Sequence, residues 1–350
     1  MEEAKSQIEN SIAQVRKRDG SISNFNTDKI LTAIYKAFSA SNKPDKELAI
    51  ELSDGVLTKL VEHGFSATNP PSVESIQDLV ESTLIDQGHS DIAKSYILYR
   101  HERRKIREEK MKVLNTKILD TVGKSFDINC LRVLASRYLM RDNKNEINET
   151  PSELFERVAV LVAISDMLRN SELFVAEGGI SQNIEEATEY LKKLDDFNYK
   201  FKIGKYYLNK WHFRCLINCY VDLANQGKMK VPFKELLTMI ASKKLDGYAD
   251  KISEYYELMV SQDFLPNSPT MMNAGGRLGQ LSACFVLAMP DDMKGIMKST
   301  SDAALIFKSG GGVGINYSEL REEGEIVAST SGVASGPVSF MNIINSVTEV

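Results

Sequence analysis

One cysteine and one glycine run, both in the last quarter of the chain, have residue types suited to chemistry on an anionic substrate. Cys284 lies in the short apolar run 283–287, and three glycines follow at 310–312. A thiol can deliver electrons together with a second thiol, because the two close to a disulfide. Consecutive glycines leave their backbone N–H groups unshielded, so these groups can bind an anion. A lone cysteine is more often a buried small hydrophobe, and a triple glycine is more often a flexible loop. Position alone therefore leaves both interpretations open.

The remaining polar motifs narrow the possible chemistry. The turn at 267–270, Asn-Ser-Pro-Thr, offers hydroxyl groups on a backbone that its proline restricts. The glycine run is not a Walker loop, and Ile315 stands where GxGxxG requires a glycine. Cys215 and Cys219, four apart on one helical face, are interpreted as core residues, as is Cys130. No histidine joins them at metal-ligand spacing, so the pattern predicts neither a zinc site nor a hydrolytic triad.

Composition bounds the class of protein. The 350 residues are enough for two or three domains, and the net charge of −5 argues against a nucleic-acid coat. No run of about 18 apolar residues predicts a membrane span, and the acidic N-terminus is no secretory signal. Four scattered cysteines without a CxxC pair fit a reducing compartment. We therefore expect a cytoplasmic protein that binds neither membranes nor nucleic acids directly.

The first hundred residues predict a hairpin followed by four helices. Residues 14–24 read as strand, Asp-Gly turn and strand, and apolar positions from Ile30 to Phe38 recur at helical spacing. Lys17 and Arg18, with the helix start after them, can bind a triphosphate. A basic hairpin without any ligand is an equally good interpretation of these residues taken alone.

The rest of the chain predicts two further regions. The charged run 101–112 indicates a solvated helix that links domains. Residues 127–262 have helical periodicity almost throughout, with Pro151 predicted in the first turn of a helix behind the cap Thr150. Beyond Gly275, glycine and serine become frequent, and the apolar runs 283–287, 314–317 and 338–344 alternate with loops. This alternation of short apolar runs and loops is typical of an α/β unit.

Four segments in order, 15–20, 25–30, 73–81 and 93–100, resemble an ATP-cone domain over about residues 13–103. The resemblance implies an allosteric site that senses ATP against dATP. The positions that match its nucleotide site are Val15, Lys17, Arg18, Asn26 and Lys29, with Lys94 as a phosphate contact.

Residues 264–273, 278–287, 302–316 and 332–341 resemble the large chain of adenosylcobalamin-dependent (class II) ribonucleotide reductases, and 125–262 resembles it more weakly. The resemblance implies an α+β ATP-cone of a hairpin and a four-helix cluster, then a mainly helical domain and the start of a ten-stranded α/β barrel. The domains expected are a disordered tail 1–12, an ATP-cone 13–103, a charged helical linker 104–125, a helical domain 126–262 and an incomplete barrel 263–350.

The same resemblance implies roles for individual residues. Cys284 would be one member of the redox pair that reduces the ribose 2′ carbon. The substrate contacts would be Ser268 at a phosphate, Ser282 and Ala283 along the substrate, Gly311 and Gly312 near ribose and phosphates, and Asn316. For the specificity effector, Asp291 would bind the ribose and Lys308 a phosphate.

The expected function is reduction of ribonucleotides to deoxyribonucleotides by thiyl-radical chemistry. Adenosylcobalamin would supply the radical, ATP, dATP and other deoxynucleotides would be effectors, and a thioredoxin-like dithiol would be the reductant. No cysteine follows Cys284, so we expect this chain to need a complementary C-terminal segment for catalysis and to dimerise when complete. A split gene, an intein or a truncation would each explain why the further cysteines are not in this chain. The alternatives are a di-iron class I large chain and a non-catalytic ATP/dATP sensor, and the diphosphate or triphosphate form of the substrate stays open.

Overall fold

The computed structural model describes residues 11–179, 182–196, 198, 200–327 and 331–349. The chain divides into two compact units, Met1–Leu119 and Asp120–Val350. Residues 1–10 of the predicted tail lie outside the described residues. Ile12, also placed in that tail, is fully buried in the core of the first unit, so the packed part of the chain includes it. None of the helices that the structure describes is long and apolar enough to cross a membrane.

The first unit is a hairpin followed by four helices, as predicted. Strands β1 (Gln14–Arg16) and β2 (Ile22–Asn24) pair antiparallel. Gly20 adopts the left-handed φ of +81° in their connecting turn. The Arg16 N–H donates to the Pro71 carbonyl at 2.9 Å, which ties the hairpin to the segment before the third helix. The helices are α1 (Asp28–Ala40), α2 (Lys46–Glu62), α3 (Val73–Asp86) and α4 (Ser90–Val113).

Helical periodicity and local caps explain these elements. Ile30, Ile34 and Phe38 are buried on α1, on the face that the sequence predicted. The Ser72 side chain accepts a hydrogen bond from the Ser75 N–H at the start of α3, which satisfies a donor that the helix itself leaves free.

The fourth helix is longer than predicted. α4 runs for 24 residues, so the charged run 101–112 continues it and does not form a separate linker helix. Neither glycine nor proline occurs within α4 to end it. The division between the two units falls after Leu119, within the predicted linker 104–125.

The second unit begins with a helical region. Its central helix is α7 (Pro151–Leu168), where Thr150 and Glu153 form a capping box ahead of a buried apolar surface. The other helices of this region are α5 (Thr121–Ser125), α6 (Ile128–Arg137), α8 (Glu185–Lys192), α9 (Lys210–Asn225), α10 (Phe233–Ala241), α11 (Tyr248–Val260) and α12 (Ser268–Asn273).

A short hairpin interrupts the region that was predicted to be almost wholly helical. Strands β3 (Lys202–Ile203) and β4 (Tyr206–Tyr207) pair antiparallel. Gly204 between them has a φ of +57°, which a glycine adopts without strain. Because this glycine allows a tight turn, the chain forms a hairpin here although the surrounding sequence has helical periodicity.

After α12 the chain alternates between strands and helices, as predicted. β5 (Cys284–Ala288) and β6 (Gly312–Asn316) pair in parallel, and α13 (Met293–Lys308) is the crossover that parallel strands require.

Two further elements follow. β7 (Ile326–Val327) and β8 (Gly332–Val333) pair antiparallel. The third apolar run, 338–344, lies within helix α14 (Gly336–Glu349). The described strands are thus the opening of an α/β architecture, which confirms the predicted class.

Candidate functional site

The parallel pairing of β5 and β6 places the predicted thiol beside the glycine run. Cys284, the first residue of β5, is in register with Gly312, the first residue of β6. The Cys284 residue is exposed. A thiol therefore lies at an open strand end next to a residue that has no side chain.

At two positions of the run, the fold itself requires glycine. Gly310 follows the end of α13 with a φ of +81°, in the left-handed region that favours glycine. A Cβ on Gly311 would lie 2.8 Å from side-chain atoms of Ile306 and Phe285, closer than packed atoms allow. Helix termination and packing explain both.

The third glycine is different. A Cβ on Gly312 would meet only the Ala283 carbonyl oxygen, at an ordinary 3.6 Å. Packing within the described residues therefore does not require glycine at 312. Its open face is the part of the run that a ligand can approach closely.

The backbone of the run does not form the anion cradle that the sequence suggested. The N–H of Gly310 donates to the Phe307 carbonyl at 2.9 Å, and that of Gly311 donates to the Ile306 carbonyl at 3.1 Å. The Gly312 N–H donates to Ala283 at 2.7 Å. All three donors are used inside the protein because they end a helix and open a strand. The run can contribute shape to a site, but these donors are not free for a phosphate.

Ser268 lies at the start of α12. The Asn267 side chain accepts a hydrogen bond from the Thr270 N–H at 3.0 Å and fixes this turn. The Ser268 residue is exposed, and its hydroxyl oxygen lies 3.0 Å from the phenolic oxygen of Tyr138. The predicted phosphate contact is therefore accessible and has an oriented hydroxyl.

Two hydrogen bonds join α12 to the segment that leads into β5. The Thr270 hydroxyl donates to the Leu281 carbonyl at 3.1 Å, and the Asn273 amide donates to the Gln280 carbonyl at 2.9 Å. The Ser282 N–H in turn donates to the Gln280 side chain at 3.0 Å. The predicted substrate contacts on α12 and before β5 are thus held on adjoining segments.

A buried arginine that sequence analysis missed supports this arrangement. Arg157 in α7 is 5% exposed, and its Nε donates to Glu149 at 2.6 Å. Its remaining nitrogens donate to the Ala274 carbonyl and, at 3.1 Å, to the Tyr138 carbonyl. One side chain therefore anchors both the end of α12 and the segment that carries Tyr138. The sequence signal that could have identified it is that Arg157 is the single cation among the apolar residues of α7.

His212 in α9 supports the same loop. Its Nδ1 accepts from the Asn209 N–H at 3.1 Å, so its Nε2 donates to the Arg157 carbonyl at 2.8 Å. Burial lowers the pKa of His212 to about 4, which keeps the ring neutral. A Cβ on Gly275 would lie 2.4 Å from this Nε2, so the loop after α12 packs directly on the ring.

Asp291 follows the end of β5, and Asn316 is the last residue of β6. Asp291 pairs with Arg321, with its Oδ2 2.7 Å from the arginine Nε and Nη2. The Asn316 side chain accepts from the Ser318 N–H at 3.0 Å. The carboxylate predicted to bind an effector ribose therefore already has a cationic partner, whereas the Asn316 amide donors have no partner among the described residues.

The predicted effector contacts Asp291 and Lys308 do not come together within one chain. Asp291 directly precedes the α13 cap and Lys308 is the last residue of that helix. Sixteen helical residues extend about 24 Å. Lys308 is exposed near the glycine run instead, at the end of the strands where Cys284 lies. A helix thus separates the two residues within one chain, and both stay proposed effector contacts.

In the first unit, the predicted nucleotide contact Arg18 has side-chain partners. Its guanidinium forms an ion pair with Glu74 and donates to the Gln77 side chain at 3.0 Å. Both partners lie on α3. The hairpin and α3 thus share a charged surface at Arg18.

The other predicted contacts of this unit remain accessible. Val15 packs half-buried against the core, and Asn26 is exposed beside the start of α1. In the part of the chain that the structure describes, Lys17, Lys29 and Lys94 are exposed and form no ion pair. Three cations are therefore available to a polyphosphate. Among the described residues, no three His, Cys, Asp or Glu side chains are grouped as metal ligands.

Family comparisons match the chain in three consecutive parts. The ATP cone domain matches residues 13–105. The ribonucleotide reductase all-alpha domain matches 124–279, and the ribonucleotide reductase barrel domain matches 282–350. Ser268 falls in the second part and Cys284 in the third.

Curated relatives match along nearly the whole chain. The vitamin B12-dependent ribonucleoside-diphosphate reductase of Thermoplasma acidophilum is 38% identical over 97% of this chain and 41% of its own length. The enzyme of the same name from Mycobacterium tuberculosis (strain H37Rv) is 29% identical over 95% of this chain and 35% of its own length. The ribonucleoside-diphosphate reductase subunit alpha of Chlamydia trachomatis is 24% identical over 95% of this chain and 38% of its own length. The chain spans about two fifths of the length of these relatives.

Proposed function

The chain belongs to the ribonucleotide reductase family, and we propose that the protein containing it reduces ribonucleotides to deoxyribonucleotides under allosteric control by ATP and dATP. It carries an ATP-cone domain, the all-alpha domain and the first part of the barrel domain. The observation that carries the proposal is the exposed Cys284 in register with the open face of Gly312.

Cys284 is proposed as one of two thiols that reduce the ribose. In the net reaction the C2′–O bond breaks, the oxygen leaves as water, and two electrons pass from the thiols to the sugar as they close to a disulfide. An external dithiol, such as a thioredoxin-like protein, then restores both thiols by exchange. An exposed thiol suits both the substrate and that reductant.

Substrate binding is proposed to use the segments on either side of Cys284. Ser268, oriented by Tyr138, would contact a phosphate, and Ser282 and Ala283 would lie along the substrate. Gly312, with Gly311 beside it, would allow the ribose close approach, and Asn316 would donate an amide hydrogen bond. The glycine run supplies space in this proposal, because its N–H groups are already bonded.

Allosteric control is proposed for the first unit. Lys17, Lys29 and Lys94 are exposed cations that can meet a triphosphate as point charges. Asp291, paired with Arg321, would take part in a separate site for the specificity effector.

The relatives' dependence on vitamin B12 supports a cobalamin cofactor for the complete protein, with adenosylcobalamin as the proposed form. The part of the protein outside this chain is proposed to bind most of it. Both ring nitrogens of His212 are bonded, and the other three histidines, His63, His89 and His101, belong to the first unit. None of the steps above involves the cofactor.

Cytoplasmic location and assembly into a homodimer complete the proposal. The ordinary charge balance and scattered cysteines support the location.

Replacing Cys284 tests the redox role. In the complete protein, with an external dithiol as reductant, Cys284→Ser should abolish turnover because one of the two electron-donating thiols is gone. Cys130→Ser is the matched control and should keep turnover, since Cys130 lies in α6 and has no part in the proposed site. Unchanged turnover in Cys284→Ser would refute the redox assignment.

Two further measurements separate the alternatives. Turnover with adenosylcobalamin and without a second radical-generating subunit supports the cobalamin class, and dependence on such a subunit supports the di-iron class. A complete protein that binds ATP but reduces no ribonucleotide in either condition would instead be a nucleotide sensor.

A further inference from the structure

Two thiols outside the candidate site lie side by side on α9. Cys215 and Cys219 are one helical turn apart, and their sulfur atoms are 3.8 Å apart. Both residues are half-buried, so solvent reaches them. Sequence analysis interpreted them as core, and the proposed chemistry at Cys284 does not use them.

The surroundings of this pair favour a thiolate. A hydrogen bond from the Cys215 thiol lowers the pKa of Cys219 to about 7, and the positive charge of Arg169 acts in the same direction. The same hydrogen bond, together with burial, raises the pKa of Cys215. Burial and the negative charge of Asp222 oppose the effect by raising the pKa of Cys219. The pair therefore favours a thiolate on one sulfur while its neighbour keeps a proton.

A bond between these sulfurs requires α9 to distort locally. The rise of about 6 Å between residues four apart in a helix is within the Cα separation of roughly 4.4–6.8 Å found in disulfides, but their Cβ atoms, about 5–6 Å apart, exceed the roughly 3.5–4.5 Å of a disulfide. The sulfurs must still approach each other through side-chain rotation and a local adjustment of α9. A bond formed under such constraint is readily reduced, which suits a reversible site.

We propose that Cys215 and Cys219 form a reversible thiol-oxidation site that reacts with peroxides. The Cys219 thiolate attacks one oxygen of hydrogen peroxide, the O–O bond breaks, and a sulfenic acid and hydroxide result; the hydroxide takes a proton from solvent and becomes water. The Cys215 sulfur then attacks the sulfenic sulfur, so that the S–S bond forms, the S–O bond breaks, and a second water leaves with the thiol proton. Two electrons pass from the pair to the peroxide, and an external dithiol reverses the oxidation by exchange.

The sequence around the pair makes a direct test possible. Trypsin cleaves after Arg214 and after Lys228, so one peptide, 215–228, contains both cysteines. The full chain would be treated briefly with hydrogen peroxide at neutral pH, blocked with N-ethylmaleimide, digested and analysed by mass spectrometry. The expected product is peptide 215–228 without label and lighter by two hydrogen atoms. It should form roughly tenfold faster than Cys130 is oxidised, because the thiolate fraction sets the rate, and dithiothreitol should restore labelling.

Two variants sharpen the result. Cys215→Ser removes the second thiol, so Cys219 should accumulate as a sulfenic acid that dimedone captures. Cys130→Ser is the matched control, because Cys130 is also half-buried but burial raises its pKa, and it should leave disulfide formation unchanged.

The proposal is overturned if peptide 215–228 stays fully labelled, or if it is oxidised no faster than Cys130. It is also overturned if the dominant disulfide joins Cys219 to a different cysteine. The measurement on the unaltered chain decides the matter even if Cys215→Ser does not fold. Either result leaves the proposed reductase function untouched, because that function depends on Cys284.

Discussion

The phenolic oxygen of Tyr138 lies 3.0 Å from the hydroxyl oxygen of Ser268, although 130 residues separate them in the chain. The backbone carbonyl of the same tyrosine accepts a hydrogen bond from Arg157, which also holds the Ala274 carbonyl at the end of α12. The helical region thus positions the hydroxyl proposed to contact the substrate phosphate.

Replacing Tyr138 with phenylalanine should weaken substrate binding and leave the fold intact. The variant removes one neutral hydrogen bond, which contributes about 0.5–1.5 kcal/mol, so KM should rise roughly two- to tenfold with a smaller change in kcat. Steady-state kinetics of the complete protein would measure both. Tyr207→Phe, at an exposed tyrosine of the same unit, should change neither, and an unaltered KM in Tyr138→Phe would contradict the positioning role.

Removing the buried Arg157 should destabilise the second unit strongly. Arg157→Met leaves Glu149, itself 8% exposed at the side chain, as an unpaired buried charge, and such losses are about 3–5 kcal/mol. Urea unfolding followed by the fluorescence of Trp211, the single tryptophan, would give the free energy of unfolding. The exposed Arg137→Met is the control and should stay within about 0.5 kcal/mol. Equal stability of the two variants would show that Arg157 is not an anchor.

Acid should destabilise the second unit through His212. Its pKa is about 4 in the folded protein and 6.5 without burial, so between these values the unfolded chain binds the extra proton. The contribution is fully present above pH 6.5 and is lost as pH falls towards 4, by up to roughly 3 kcal/mol.

The measurement is the free energy of unfolding at several pH values, again from Trp211 fluorescence. His212→Gln cannot titrate, so its unfolding free energy should fall less over this interval. Identical pH dependence in the variant and the unaltered protein would rule out His212 as the cause.

Gly311 and Gly312 should respond differently to the same added methyl group. Gly311→Ala forces a Cβ within 2.8 Å of Ile306 and Phe285, and overpacking of this kind costs about 1–3 kcal/mol. Gly312→Ala meets only an ordinary contact and should fold normally but bind substrate more weakly. Thermal unfolding and substrate titration of the two variants form a matched pair. The assignment fails if Gly312→Ala binds substrate unchanged.

Neutralising Glu74 should strengthen nucleotide binding to the first unit. Glu74→Gln releases Arg18 from its ion pair, and exposed pairs of this kind contribute about 0–1 kcal/mol. Affinity for ATP should therefore rise by at most about fivefold, whereas Lys17→Ala should lower it. Calorimetric titration with ATP would measure both, and Lys46→Ala, at an exposed lysine of α2, is the control. A loss of affinity in Glu74→Gln would mean that Arg18 must stay paired to bind the nucleotide.

Much of the fold could be predicted from local patterns in the sequence. The hairpin around Gly20, the buried stripe of α1 and the cap at Thr150 were predicted correctly, because each depends on residues within a few positions of one another. The short hairpin at Gly204 was missed, since one glycine turn overrode a helical background. The charged run 101–112 was taken for a separate linker because solvated charges say nothing about whether a helix is continuous.

By itself, the sequence determined the order of the domains and the residues able to do chemistry, Cys284 and Ser268 among them. Only the tertiary structure decided which of these residues meet. It placed Cys284 beside Gly312, used the N–H groups of the glycine run internally, and separated Asp291 from Lys308 by the length of α13. It also revealed Arg157 and the paired sulfurs of Cys215 and Cys219. The physical reason is that helical period, turns and caps are local, whereas hydrogen-bond partners, burial and side-chain distances depend on segments that only folding brings together.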